Sequence, residues 1–111
     1  MGIRRHKFNA KKQKTEDGKF DSKKELKVWE ELKLLQQCGE ISELTRVRKD
    51  CTFDLHGLDG SLLCRYIGDY KFVEQGKKVV GDAKGMRTGE YKIKRKLFMA
   101  EYGEEFEHRE Y

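Results

Sequence analysis

The chain has 111 residues, 41% of them charged and 36% hydrophobic, and its 25 basic and 20 acidic side chains leave a formal net charge of +5. That length holds one small core; no run approaches the ~20 apolar residues of a membrane span, and residues 1–19 lack the apolar stretch of a secretory signal. Three cysteines (Cys38, Cys51, Cys64) without C-x-x-C spacing argue against a disulfide framework or a zinc knuckle and read as thiols of a reducing, cytoplasmic compartment.

The charge excess sits at the front. Residues 1–19 carry seven basic side chains (Arg4, Arg5, Lys7, Lys11, Lys12, Lys14, Lys19) against Glu16 and Asp17, whereas the remaining 92 residues balance at 18 of each sign. So polar a stretch cannot offset the entropy of ordering itself and reads as a flexible leader. Such an arm is drawn to phosphate backbones without reading base sequence, or else only solubilises the chain.

A folded domain is expected over residues 20–111. Ser22 opens a helix that runs to about Cys38, with Gly39 as its stop and Leu26, Val28, Trp29, Leu32 and Leu35 on one face. Leu44–Val47 and Cys51–Leu55 read as short strands, His56–Gly60 as a turn, Leu62–Val73 as one long strand, and Lys78–Ala83 as its hairpin partner across Gln75-Gly76. Thr88 caps a second helix over Glu90–Tyr102, stopped by Gly103, and Glu105–Glu110 forms a last strand. The order α-β-β-β-α-β predicts a mixed α/β domain with helices packed on a central sheet.

If Gln75-Gly76 is a two-residue hairpin loop, Glu74 pairs with Lys77 and Asp69 falls opposite Asp82, on one face of the sheet. Lys84 projects from that same face. Two carboxylates so close repel and call for a cation. Magnesium suits the pair, because it takes oxygen ligands from one or two carboxylates and the balance from water and phosphate. The carbonyl of Ala83 adds an oxygen, and Lys84 is placed to orient or deprotonate water and to stabilise charge on a phosphate. The plainer alternative is a solvated salt-bridge cluster, although Asp is disfavoured in strand interiors.

Glu25 has two uses open to it. It is the fourth residue of Ser22-Lys23-Lys24-Glu25, a capping box; it also lies on the inward face with Trp29 and Leu32. Tyr91, Phe98 and Tyr102 have helical spacing and read as core. Arg87, Lys92 and Lys96 belong to a basic segment, while the last eleven residues are acidic, a polarity that suits one face to an anionic polymer. The histidines (His6, His56, His108) form no recognisable Cys/His site, and Gly81-x-x-x-Gly85 lacks phosphate-loop spacing.

Phe20-Asp21-Ser22-Lys23-Lys24-Glu25, Glu31–Leu35, Gly39-Glu40-Ile41-Ser42, Asp69-Tyr70-Lys71-Phe72, Val80-Gly81-Asp82-Ala83-Lys84-Gly85 and Tyr91–Phe98 resemble the blocks of a group of short phage and prophage proteins. That group is catalogued as a domain of unknown function and assigned to the PD-(D/E)XK nuclease superfamily. The resemblance implies a restriction-endonuclease-like mixed sheet flanked by helices and magnesium-dependent hydrolysis of DNA phosphodiesters, with manganese as a substitute. It implies Asp69 as the acid of the PD element, Asp82 and Lys84 as the acid and lysine of (D/E)XK, and Glu25 as the first-helix acid of the metal site. Gly68 stands where the signature proline is expected, and Thr45-Arg46-Val47-Arg48-Lys49 replaces a more apolar strand containing Gln-Pro. Characterised relatives of this architecture include phage endonucleases that resolve Holliday junctions.

The expectation is therefore a metal-dependent endodeoxyribonuclease of phage DNA recombination or processing. Glu25, Asp69 and Asp82 with the Ala83 carbonyl would hold metal; Arg4, Arg5, Lys7, Lys11, Lys12, Arg87, Lys92 and Lys96 would grip DNA. Symmetric cutting of a junction would require a homodimer. Two other classes stand beside it: a non-catalytic DNA-binding module of the same fold, and a small phage protein that binds a host protein through its acidic end.

Overall fold

The computed structural model describes residues 13–15, 17–83 and 87–111. Strands β1 (Gln13–Thr15) and β2 (Gly18–Phe20) form a hairpin, followed by helix α1 (Lys23–Gln37), β3 (Ser42–Thr45) and a 3₁₀ turn at Arg48–Cys51. Then come β4 (Thr52–His56), β5 (Leu62–Ile67), β6 (Tyr70–Glu74), β7 (Lys77–Asp82), helix α2 (Gly89–Tyr102) and β8 (Phe106–Glu110). The central sheet has the order β3-β6-β7-β8, with β8 parallel to β7 and the other pairs antiparallel; β4 and β5 pair separately. The protein is thus mixed α/β, as the sequence predicts. No helix among the described residues is long and apolar enough to cross a membrane.

The sheet's two faces follow from the period-2 alternation of its strands. Tyr70, Phe72 and Val79 pack against Val28, Trp29 and Leu32 of α1. Val80 and Phe106 point the other way, toward Tyr91 and Phe98 of α2 and Phe53, Leu55 and Tyr66 of the β4–β5 hairpin. Helix α1 begins where expected: Ser22 Oγ accepts the Glu25 backbone N–H at 3.1 Å, and Gly39, at φ +82°, turns the chain out of the helix. Leu35 does not join the inward face; it is 39% exposed. Thr88 caps α2 by accepting the Tyr91 N–H at 3.1 Å.

Gln75 and Gly76 both have positive φ, +50° and +80°, the requirement of a tight primed turn matching the twist of its strands. The register is the expected one, from Glu74↔Lys77 to Tyr70↔Gly81.

Three boundaries differ from expectation. The leader is not structureless to Lys19: its end forms β1–β2, held by the completely buried Phe20 and by Arg46, which donates to the carbonyls of Asp17 (3.0 Å) and Lys19 (2.5 Å). The run Leu62–Val73 is two strands, broken at Gly68-Asp69, where the chain leaves the β4–β5 pair for the central sheet. The Gly68 N–H is taken by the Cys51 carbonyl and the Asp69 N–H by the Gly81 carbonyl, both at 2.9 Å. The third strand spans Ser42–Thr45 rather than Leu44–Val47, because Thr45 Oγ1 accepts the Val47 N–H and turns the chain into the 3₁₀ segment. The order α-β-β-β-α-β accordingly gains the leading hairpin and two further strands.

Candidate functional site

Asp69 and Asp82 meet where β6 begins and β7 ends. Asp69 is half-buried, and its Oδ2 accepts the Ala83 backbone N–H at 2.8 Å. That bond ties the acid directly to the segment that follows Asp82. Asp82 is 1% exposed, and burying a carboxylate this fully is costly unless donors face it. Its Oδ2 accepts the Tyr66 hydroxyl at 2.8 Å, while its backbone carbonyl takes the Tyr111 N–H.

Tyr66 also contacts His108 Nε2, at 2.7 Å. The phenol has one hydrogen, given to Asp82, so the imidazole must donate Nε2–H to the phenol oxygen. Burial, with Arg95 nearby, lowers the His108 pKa, which favours the neutral ring, and the Tyr66 contact then selects its Nε2–H tautomer. The chain His108–Tyr66–Asp82 thus runs from β8 through β5 to β7. Burial first, then the Asp82 charge, pushes the Tyr66 pKa well up, so the phenol stays a donor at any working pH.

Glu25 closes the site from the α1 side. Burial first, and the Asp69 charge second, raise its pKa to about 7. Its carboxylate accepts a hydrogen bond from the Asp21 backbone, and Arg46 lies 3.7 Å away. The Tyr70 hydroxyl donates to the Glu25 carbonyl at 2.6 Å. Cap and inward-facing acid are therefore the same residue: its N–H goes to Ser22, and its carboxyl group faces the charge of Asp69.

The sequence thus brings Glu25, Asp69, Asp82 and Ala83 to one end of the sheet. Lys84, Arg4, Arg5, Lys7, Lys11 and Lys12 lie outside the described residues. Arg87, Lys92 and Lys96 are exposed, the last two on α2. The expected separation of basic and acidic faces is not what the fold makes. Glu110 binds Arg87 at 2.9 Å, Glu105 binds Lys78 at 2.9 Å, and Arg109 bridges Glu74 and Glu107. The acidic end is folded back onto basic side chains. Tyr66 and His108, which hold Asp82, escaped sequence reasoning; a tyrosine three residues before the first acid was the only local signal for them.

Oxygen donors from carboxylates suit a hard divalent cation, and Glu25, its pKa raised first by burial and second by the charge of Asp69, adds a further acid beside them. Among the described residues no group of three Asp, Glu, His or Cys side chains is arranged to hold a metal ion. An ion held here would take one or two of these carboxylates and complete its shell from elsewhere.

The family model described as Protein of unknown function (DUF1064) matches residues 5–109. The chain belongs to that family. The match spans every functional residue named above except the leader's Arg4. No curated protein and no solved structure matches the chain.

Proposed function

We propose that this DUF1064 protein is a metal-dependent endodeoxyribonuclease of the PD-(D/E)XK type, built on a restriction-endonuclease-like sheet and acting in phage DNA recombination or processing, branched DNA included. The observation that carries this reading is geometric: the Asp69 carboxylate is bound to the Ala83 N–H at 2.8 Å, next to the buried Asp82 carboxylate that the Tyr66 hydroxyl holds. Burial first, and the Asp69 charge second, raise the pKa of Glu25; burial first, then the charges of Asp69 and Glu25, raise that of Tyr70.

In this reading Asp69 and Asp82, with the Ala83 carbonyl and with Glu25 as a further acid facing them from α1, would hold magnesium or manganese, which would activate water and offset charge on the phosphate. The protein's own contribution is positioning. Tyr66 and His108 fix the Asp82 carboxylate, and Ala83 fixes that of Asp69. Lys84, two residues beyond Asp82, serves the water or the phosphate. The basic leader, Lys92 and Lys96 hold the DNA backbone. Cutting both strands of a junction takes two such sites and hence a homodimer.

The test is a gel assay of the full chain on supercoiled, linear, single-stranded and four-way-junction DNA, with magnesium, manganese or EDTA. Asp82→Asn keeps an oxygen for the Tyr66 hydroxyl and removes the charge. Cleavage should need the metal and fall by at least about 10²–10³-fold in the variant, with DNA binding retained. Retained cleavage in Asp82→Asn would sink the site. The absence of a three-ligand metal group among the described residues favours one rival, a non-catalytic DNA-binding module. That rival predicts salt-sensitive binding with no product under either metal.

A further inference from the structure

Glu110 ends β8 and lies across from Asp82 in the parallel register, two residues beyond His108 on the same face. One oxygen of its carboxylate takes close contacts from a hydroxyl and one guanidinium, and a second guanidinium stands at ion-pair distance. The Tyr91 hydroxyl lies 2.7 Å from Oε2, Arg87 Nε 2.9 Å and Arg95 Nε 3.8 Å. Two guanidiniums around a single carboxylate leave a surplus positive charge. Both arginines remain open to solvent, at 38% and 42% side-chain exposure. Tyr91 and Arg95 stand one turn apart on α2, and Arg87 lies just before that helix. Planar guanidinium forks and a hydroxyl converging on one anionic oxygen are also what recognises a phosphodiester oxygen. Solvent-exposed ion pairs of this kind are weak, so the carboxylate is readily exchanged for a polyanion.

We propose that Arg87, Arg95 and the Tyr91 hydroxyl form a seat for a backbone phosphate of DNA passing beside Asp82, and that Glu110 fills this seat in the free protein until phosphate displaces it. The proposal rests on the reading of the protein as a DNA-processing enzyme, because it takes the DNA backbone as ligand. The seat differs from the metal site: none of its donors is a carboxylate, and Asp82 touches it only as a neighbour across the β7–β8 register. The Tyr91 hydrogen bond first, and then Arg87, hold the Glu110 pKa below its ordinary value. The acid therefore stays charged and competes with phosphate throughout the neutral range. Glu110 acts as a built-in competitor that lowers affinity for any anion too weak to replace it.

The experiment is fluorescence anisotropy of the full chain with a labelled DNA duplex, in EDTA so that cleavage does not intrude, over a range of salt. Glu110→Gln keeps an oxygen for the Tyr91 hydroxyl and removes the competing charge; it should bind DNA several-fold more tightly. Glu107→Gln makes the same charge change three strand positions before Glu110, on the opposite face of β8, where Glu107 pairs with Arg109. It should leave affinity unchanged. Arg95→Gln in the otherwise native chain should weaken binding and shallow the salt dependence by about one unit of slope for a lost phosphate contact. Equal tightening by the two glutamate variants would overturn the seat in favour of net charge. So would unchanged affinity in both Glu110→Gln and Arg95→Gln, and if DNA is still cleaved in that case the nuclease reading survives. Failure of every form, wild type included, to bind DNA would remove both.

Discussion

On the α1 face of the sheet Tyr70 stacks on Trp29, with ring centroids 6.2 Å apart, and its hydroxyl ends on the backbone carbonyl of Glu25. On the α2 face Tyr66 packs on Phe98, with centroids 5.3 Å apart, and its hydroxyl ends on the carboxylate of Asp82. Both phenols are nearly or fully buried, at 2% and 0% exposure, and both need a polar partner there. The choice of partner separates the two faces. A hydroxyl spent on a backbone carbonyl joins helix to sheet. A hydroxyl spent on a buried acid fixes where that acid points and helps it remain charged. The α2 face carries Asp82, the one buried charged side chain among the described residues. One face spends its buried phenol on joining helix to sheet; the other spends it on positioning a buried carboxylate.

The sharpest way to break that contrast is to disturb the place where the chain crosses between sheets. A Cβ built on Gly68 would stand 2.6 Å from Val80 Cγ1, in the completely buried part of the α2 face. Val80 is β-branched and confined, so it cannot move aside cheaply. Gly68→Ala should cost about 2–3 kcal/mol of stability as overpacking, read as a lowered midpoint in thermal or urea denaturation. Val80→Ala in the same chain should recover part of that loss, and strict additivity of the two would deny the contact. The same contact explains why this position holds glycine rather than a residue with a Cβ.

Tyr66→Phe comes next. It keeps the ring and leaves Asp82 without its hydroxyl donor, a change worth about 2 kcal/mol for a buried charged acceptor. If the site is catalytic, cleavage should fall about tenfold or more and need higher metal concentration, because the acid is no longer fixed. His108→Gln retains an N–H donor toward the phenol and should keep more activity than His108→Leu. Equal losses in the two His108 variants would reduce the histidine to a packing residue.

Much of this architecture was legible in the sequence because it is local. Ser22, Glu25 and Gly39 mark the ends and first turn of α1 within a few residues, and Gln75-Gly76 sets a register that carries Asp69 toward Asp82. What escaped was set by distance along the chain or by competition between signals. Gly68-Asp69 is a turn by composition, but apolar and aromatic residues on both sides hide it, and only the approach to Val80 shows why the strand must break. Tyr66 and His108 are 42 positions apart and meet through the parallel placement of β8, which no hairpin loop announces. Arg46 looked like a fault in a strand; its guanidinium in fact lies 3.8 Å from the Phe20 ring centroid and grips the β2 backbone. The acidic end likewise reads as a charge run, and pattern alone does not reveal which basic side chains it folds against.

Glu25 gives a smaller effect with a distinctive pH signature. Its folded pKa of about 7 lies above the ordinary 4.5, so the native state binds its proton more tightly than the unfolded chain does. Stability should therefore fall as pH rises from about 4.5 to about 7 and stay low above that. With Arg46 beside it and part of the carboxylate in solvent, the loss should be about 1–2 kcal/mol. Glu25→Gln should flatten this decline and melt at a higher temperature than wild type at pH 8, while losing metal-dependent cleavage if the acid serves the site. A Glu25→Gln protein that still declines over the same interval would place the titrating group elsewhere. Smallest of all should be Tyr70→Phe, which leaves a backbone carbonyl rather than a carboxylate unserved and should cost about 1 kcal/mol. Because that hydroxyl holds the first turn of α1 rather than a reacting acid, cleavage by Tyr70→Phe should match wild type at temperatures where both are folded. A loss as large as that of Tyr66→Phe would mean that the α1 face positions the site too, through the backbone of Glu25.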